Sequence, residues 1–316
     1  MLVFKGLEPP ASSRRPSAVA IGNFDGFHLG HREIISRLKE EAAKDGLERV
    51  VLTFDPHPER ALGKRSVRMI DTMEQRLESL EAAGVDRAVI IPFDSAFSGL
   101  SPADFVSEVL AAGLATRVAV VGENFRFGKD RRGTIDGLAR LGLKHSIRVC
   151  PVAPLVLSGR TVSSSLIRGL LEKGRVEEAA LFLGRPYEIR GRVVRGIAKG
   201  RQLGFPTANL DAANEITPEG VFVSEAVLGG ETFPSVTVIG VAPSVSPRRS
   251  GRLVETHIFD FDRELWGSEL AVRLLRKVRP VRRFRSEAAL VDRIGLDIAE
   301  AKRYFMQGAA RGRRDA

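Results

Sequence analysis

The apolar residues of the first half come in short continuous runs separated by helical spacings. Ala18-Val19-Ala20-Ile21, Val50-Val51-Leu52-Thr53-Phe54, Ala88-Val89-Ile90-Ile91 and Val118-Ala119-Val120-Val121 read as buried strands, with a fifth candidate over residues 147–152. Between them Ile34, Ile35, Leu38 and Ala42 recur at helical spacing, and further helical stretches cover residues 73–83 and 103–112. Asp45-Gly46 closes the first of these helices. Buried strands alternating with helices predict a doubly wound α/β domain with its parallel sheet covered on both faces. Ligands of such domains bind beyond the carboxyl ends of the strands.

Residues 163–184 are helical in pattern, with Ile167, Leu170 and Leu171 in one apolar set and Ala179, Ala180 and Leu183 in another. Gly174 and Gly184 stand near the two helix ends. This pair is expected to join two domains. From Tyr187 the rhythm changes to alternation, as at Tyr187, Ile189 and Val193. Val221-Phe222-Val223, Val236-Thr237-Val238-Ile239, His257-Ile258-Phe259 and Leu270-Ala271-Val272 follow, with Gly, Pro and Asp between them. Consecutive short strands without helices imply an antiparallel sandwich or barrel. A last helix is expected over residues 286–304, with Ala288, Val291, Ile294 and Ala299 on its buried face and a weak capping pattern at Ser286. The expected division is residues 1–184, residues 185–307 and a small basic disordered tail over residues 308–316.

A length of 316 residues leaves room for two cores. Lysine and arginine number 49 against 39 acidic residues, and the net charge of +10 favours anionic partners. The densest basic stretch, residues 273–285, reads equally well as a solvated face. The single cysteine, Cys150, excludes a disulfide framework and a thiolate metal cluster. No apolar run reaches about 18 residues, and residues 1–10 lack a signal-peptide core. A cytoplasmic protein without membrane contact is therefore expected.

Candidate chemistry concentrates where the strand ending at Ile21 runs into Gly22-Asn23-Phe24-Asp25-Gly26-Phe27-His28-Leu29-Gly30-His31. A helix start offers unpaired N–H groups and a partial positive charge, which suits a phosphate. Gly26 and Gly30 let a nucleotide lie against the backbone. His28 and His31, three apart, share one face near the helix start and can donate hydrogen bonds to triphosphate oxygens. The bland reading is a pair of surface or metal-binding histidines; no third ligand stands at a fixed spacing, which disfavours zinc.

This block is similar to the HxGH-type nucleotidyltransferases, whose domain is Rossmann-like. More closely, the chain resembles the prokaryotic bifunctional riboflavin kinase and FAD synthetase family, in several blocks over nearly its whole length. Leu52-Thr53-Phe54-Asp55-Pro56-His57-Pro58 resembles the second block, and Val121-Gly122-Glu123-Asn124-Phe125-Arg126-Phe127-Gly128 the third. Val162-Ser163-Ser164-Ser165-Leu166-Ile167-Arg168 resembles a Ser-Ser-Thr-x-Ile-Arg block, with Ser165 keeping the hydroxyl of Thr. All of these are expected at one edge of the sheet. The resemblance implies transfer of AMP from ATP to the phosphate of FMN, giving FAD and pyrophosphate. His28, His31 and Arg168 would then stabilise the ATP phosphates. Gly22, Asn23, Phe24, Asp25, Gly30, Asp55, Asn124, Arg126, Ser163, Ser164 and Ser165 would line the nucleotide and flavin site. A plain turn at Asp55 and a helix cap at Ser163 explain those two residues equally well.

In the second half, Gly196-Ile197-Ala198-Lys199-Gly200-Arg201-Gln202-Leu203-Gly204-Phe205-Pro206-Thr207-Ala208-Asn209-Leu210 is the strongest block. Gly191 and Gly196 have the spacing of a P-loop, but Ile197 occupies the position of its lysine. Gly200 and Gly204 still make a flexible loop with Lys199 and Arg201 beside it. Thr207 and Asn209 face one way at a strand start, and two neutral oxygen ligands suit Mg²⁺ that keeps waters and substrate phosphates. The block resembles the riboflavin kinase signature, and Val254-Glu255-Thr256-His257-Ile258-Phe259-Asp260-Phe261-Asp262 resembles its second signature. The resemblance implies an antiparallel barrel that phosphorylates riboflavin, with Glu255 as the base toward the ribityl hydroxyl. Lys199, Gly204, Pro206, Thr207, Asn209 and Arg279 would bind nucleotide or flavin, and Thr207 and Asn209 the metal. Glu255 alone reads equally as a solvent-facing strand residue. Three departures fall in loops thought to hold the flavin: Ala242-Pro243-Ser244 for Arg-Pro-Thr, Trp266 for Tyr, and Val281 where the family carries an acid. An active kinase with altered flavin affinity is expected.

The implied partners are riboflavin, FMN, FAD, ATP, ADP and pyrophosphate, with Mg²⁺ or another divalent cation; oligomerisation is left open. Competing readings are another HxGH adenylyl- or cytidylyltransferase, a regulatory barrel with a dead kinase, and an RNA-binding protein. The last is disfavoured by an aromatic content of only 6%, too low for a base-stacking platform.

Overall fold

The structure, a computed structural model, describes residues 1–7, 15–63, 67–196, 200, 203–241 and 252–312. Lys199, Arg201 and the Ala242-Pro243-Ser244 departure lie outside the described residues. The chain divides into two compact units, Met1–Ser163 and Ser164–Ala316.

In the first unit β1 (Leu2–Lys5), β2 (Ser17–Ile21), β3 (Glu48–Asp55), β4 (Arg87–Pro92), β5 (Thr116–Gly122) and β6 (Arg148–Val152) form one sheet in the order β1-β4-β3-β2-β5-β6. Every pairing is parallel. The expected doubly wound sheet is present, with one strand more than the apolar runs disclosed. Strand β1 is short and exposes Leu2 and Val3, so it leaves no run of buried residues. Alternation sends Val19 and Ile21 of β2 to one face and Ala18 and Ala20 to the other. The first face packs on a π-helix, α3 (Phe105–Gly113), and on α4 (Ile135–Leu143). The second packs on α1 (Leu29–Asp45) and α2 (Met73–Ala82), through Ile35, Leu38, Ala42 and Leu80. Burying one such leucine stabilises by about 1.5–3 kcal/mol. Helix α1 ends at Gly46, whose φ of 61° is left-handed and whose N–H bonds the Ala42 carbonyl. Helix α4 has no counterpart among the expected elements, because Gly137 and Gly142 interrupt its apolar spacing. A small hairpin, β7 (Val156–Leu157) and β8 (Arg160–Thr161), closes the unit.

Strand order reverses beside β2: β3 and β4 lie to one side of it, β5 and β6 to the other. A crevice outside the strand ends is the expected ligand position at such a switch point. The loop that leaves β2 there is Gly22 to His31.

The second unit begins with α5 (Ser164–Glu172) and α6 (Val176–Leu183), which end at Gly174 and Gly184, both at φ 69°. A closed six-stranded antiparallel barrel follows: β9 (Tyr187–Val194), β10 (Ala208–Ala212), β11 (Gly220–Leu228), β12 (Glu231–Val241), β13 (Arg252–Ile258) and β14 (Glu269–Arg279), in the order β10-β13-β12-β11-β14-β9. Closure removes sheet edges, which decides between sandwich and barrel. Helix α7 (Glu287–Gly312) covers Val221 and Val223 on the outside through Ala301, Ile298 and Tyr304. Phe222, between those valines, is also buried. Burial on both faces explains the unbroken apolar run of β11. Ser235, Ser224, Thr237 and Thr256 form a chain of hydroxyl contacts of 2.7–2.9 Å through the barrel interior, each satisfying the next. Ser286 accepts the Ala289 N–H at 3.2 Å and so does cap α7. That helix continues through Gly312, into the stretch expected to be disordered.

Candidate functional sites

The loop after β2 is held rigidly. Phe24 and Phe27 turn it with φ of 51° and 33°, and both rings are buried. Asp25, also buried, accepts the N–H groups of Ile70 and Asp71 at 2.9 and 3.2 Å. The Asn23 carbonyl accepts from Arg76 Nη1 at 2.9 Å and from the Thr53 hydroxyl at 3.2 Å. Asn23 Nδ2 lies 2.9 Å from His57 Nε2, tying the first sequence block to the second.

His28 is the N-cap of α1. Its Nδ1 accepts the His31 N–H at 3.2 Å, which leaves Nε2 as the protonated nitrogen of a neutral ring. The two imidazoles stack with centroids 3.7 Å apart and 14° between planes. A Cβ on Gly30 would sit 3.3 Å from the His28 ring, so glycine permits this close stack. Burial pushes the His28 pKa down to about 4. Burial, then the neighbouring His28 and Arg76, hold His31 well below the ordinary histidine value. Both rings are therefore neutral at pH 7.

Asp55 ends β3 and is exposed. Asn124 and Arg126 are exposed in the turn after β5, where the Phe125 N–H bonds the Gly122 carbonyl at 2.8 Å. The Val162 carbonyl lies beside Gly30, which brings the start of the fourth block to the histidines; Ser163 is the last residue of this unit. Ser164, Ser165 and Arg168 ride on α5 in the second unit.

In the barrel, β10 pairs with β13 so that Asn209 stands directly opposite Glu255. Side chains so placed are about 5 Å apart at Cβ. Asn209 is buried, and Gly196 passes so close that a Cβ there would lie 2.3 Å from its amide. His257 Nδ1 lies 2.8 Å from the Pro206 carbonyl and holds the Gly204–Thr207 turn onto β13. Gly204 turns that loop with φ 85°. Arg279 is held elsewhere: its Nε and Nη2 bond the buried Asp297 carboxylate at 2.7–3.0 Å, and Arg293 bonds the same group. The basic stretch resolves largely into pairs, with Arg273 on Glu188 and Arg276 on Glu300. Among the described residues no cluster of three or more His, Cys, Asp or Glu is arranged to hold a metal.

The FAD synthetase family model matches residues 11–166 and the riboflavin kinase model residues 183–305. A bifunctional riboflavin kinase/FMN adenylyltransferase from Bacillus subtilis is 35% identical over 92% of this chain and 92% of its own length. The chain belongs to the bifunctional riboflavin kinase/FMN adenylyltransferase family. A second member, from Buchnera aphidicola, is 33% identical over 96% of this chain and 99% of its own. A solved structure described as a macrolide-efflux protein from Streptococcus pneumoniae is 27% identical, with a TM-score of 0.84 over 96% of this chain and 99% of that one. Among the described residues no helix is long and apolar enough to cross a membrane.

Within this family frame, the first unit brings Gly22, Asn23, Phe24, Asp25, His28, Gly30 and His31 into one turn, and the barrel brings Asn209 opposite Glu255, with Thr207 two residues before Asn209. Asp25 and Phe24 spend their visible contacts inside the protein, as braces of the loop. Two residues at the first site carried no assigned role in the sequence. His57 was visible in its block. Arg76 gave no signal, because on an amphipathic helix a single arginine looks like a solvated position.

Proposed function

We propose that the chain makes FMN from riboflavin in the barrel and FAD from FMN at the β2–α1 loop, using ATP in both reactions. What carries this reading is that one family-matched chain holds both a stacked His28–His31 pair at a sheet switch point and Asn209 opposite Glu255. In adenylyl transfer an FMN phosphate oxygen attacks the α-phosphorus of ATP, and the bond to the β-phosphate breaks with its electrons leaving on pyrophosphate. His28 and His31 donate to the oxygens on which charge builds, helped by the helix start. Asn23, Asp55, Asn124, Arg126 and Ser163 complete the site, with Gly22 and Gly30 admitting the nucleotide; Ser164, Ser165 and Arg168 are assigned to the same reaction by the family resemblance of their block.

In the kinase, Glu255 takes the proton from the ribityl hydroxyl as its oxygen attacks the γ-phosphorus. Thr207 and Asn209 would hold Mg²⁺ or a similar cation; two neutral oxygen ligands suit an ion that keeps water and phosphate. Such an ion neutralises phosphate charge. Lys199, Gly204 and Pro206 are assigned to nucleotide binding, and Arg279, which Asp297 orients, to flavin binding. We put the functional boundary near residue 184, close to where the riboflavin kinase match begins at residue 183, and the location is the cytoplasm, where ATP is supplied.

Incubating the whole protein with riboflavin and Mg-ATP and following products by chromatography tests this. FMN appears first and FAD second. FMN without FAD, or no FMN at high enzyme concentration, refutes the corresponding half.

A further inference from the structure

We propose that Arg76 is a positioning residue for adenylyl transfer. Its buried guanidinium sets the Asn23 turn and places a fixed positive charge beside His31, where the negative charge of the triphosphate gathers. The proposal rests on the adenylyltransferase reading above.

Arg76 comes from α2, outside every sequence block, yet it is 5% exposed and reaches the loop. Its Nη1 donates to the Asn23 carbonyl, a neutral acceptor, at 2.9 Å. Its Nε is buried without a partner. The acidic groups that act on it, Asp25, Asp55, Asp71 and Glu74, do so through space. Asp25 is committed to the amides of Ile70 and Asp71. Taking a cation out of water costs several kcal/mol unless partners compensate it. A neutral carbonyl recovers little of that cost.

Two more buried orphan atoms lie in the same block: Asn23 Oδ1 and His31 Nδ1. Unpartnered buried polar atoms are rare enough to need a reason. Here three of them converge on the loop where the sheet switches direction, and an incoming polyphosphate offers acceptors to both guanidinium and imidazole. His31 faces His28, stacked at 3.7 Å, the Phe24 ring at 5.1 Å, and the Arg76 charge. A cation there disfavours a proton on His31 in the free enzyme. An anion bound between them reverses that preference, so the imidazole gains charge only when phosphate is present. Arg76 makes and breaks no bond in the reaction.

The test uses full-length Arg76→Met and Arg76→Lys proteins. FAD synthesis from FMN and ATP is measured beside riboflavin phosphorylation in the same preparation. The His31 ring is titrated by NMR of histidine-labelled protein, assigned with His31→Gln. Arg76→Met is expected to lower kcat for FAD synthesis about a hundredfold, to leave riboflavin phosphorylation unchanged and to raise the pH at which His31 titrates. Arg76→Lys keeps the charge, restores most of kcat and leaves that titration near its original position. A wild-type kcat or an unmoved His31 titration in Arg76→Met overturns the proposal. So does a folded Arg76→Lys protein as slow as Arg76→Met. Should Arg76→Met lose its cooperative melt, Arg76→Gln, neutral but able to bond Asn23, takes its place; a rate equal to Arg76→Lys overturns the role of charge. Loss of FAD synthesis from the wild-type chain would defeat the underlying reading, whereas His28-dependent synthesis indifferent to Arg76 defeats this proposal alone.

Discussion

The loops proposed for adenylyl transfer and for riboflavin phosphorylation would both handle ATP phosphates, but burial differs between them. In the first, Phe24, Asp25, His28 and Arg76 are all buried, and hydrogen bonds from β3 and α2 fix the backbone before any ligand arrives. In the second, Gly204 and Pro206 are exposed and Glu255 is half-buried on the strand next to Asn209. Preorganised donors cost no rearrangement at the moment of reaction. A carboxylate base instead needs access to the proton it removes. The contrast is between a site that stores its electrostatics in the fold and one that assembles them around the substrate.

Removing the proposed base should produce the largest change. Glu255→Gln is expected to lower riboflavin phosphorylation by about 10²–10⁴-fold, the usual range for general-base loss, while FAD synthesis from added FMN stays at its wild-type rate. Product chromatography with each substrate reads both. Equal loss of the two activities would mean that the barrel substitution acts through folding and would erase the contrast.

His28→Asn comes next. Asn keeps an N-cap acceptor but removes the imidazole, so α1 stays capped while FAD synthesis falls about 10²–10³-fold. Riboflavin phosphorylation should not change. A fully active His28→Asn would show that the cap and not the ring is what the loop requires.

Much of this contrast was legible beforehand, and the parts that were not share a cause. Short-range chemistry was visible: a glycine-histidine turn after a buried run, Thr207 and Asn209 two apart, and alternating apolar positions. Information held across long sequence separations was not. The Asn209–Glu255 pairing depends on barrel register, which chemistry at either position does not specify. Arg76 serves a loop on another element. Asp297 of α7, which holds Arg279, stands 18 residues further on, and nothing at Arg279 marks that pairing. Strand β1 pairs with β4, and its apolar residues Leu2, Val3 and Phe4 stay partly or fully exposed, so the short run does not stand out as a core strand.

The buried first site also predicts a pH signature. His28 has a folded pKa of about 4, below its ordinary 6.5, so between those values the unfolded chain binds a proton the folded one refuses. Its contribution is complete above pH 6.5 and lost as the pH falls toward 4, by up to about 3 kcal/mol. His31 is shifted the same way and adds to the slope. Urea midpoints at pH 7 and pH 4.5 should therefore converge in the His28→Asn protein more than in the wild type. Parallel losses in both proteins would mean that His28 is not held neutral.

The two loops use glycine differently, and that sets the smallest effect. Gly26 has φ 82°, and a Cβ there would come 3.0 Å from Ile70, so its role is conformational. Gly26→Ala is expected to cost about 1–2 kcal/mol of stability, the penalty of a left-handed non-glycine residue, read as a lower thermal midpoint. Gly196 lies outside that backbone region but presses on the Asn209 amide. Gly196→Ala should displace Asn209 and slow riboflavin phosphorylation without a matching fall in the midpoint. The reverse outcome, a destabilised Gly196→Ala with its kinase rate intact, would place stored strain in the barrel and remove the distinction between the sites.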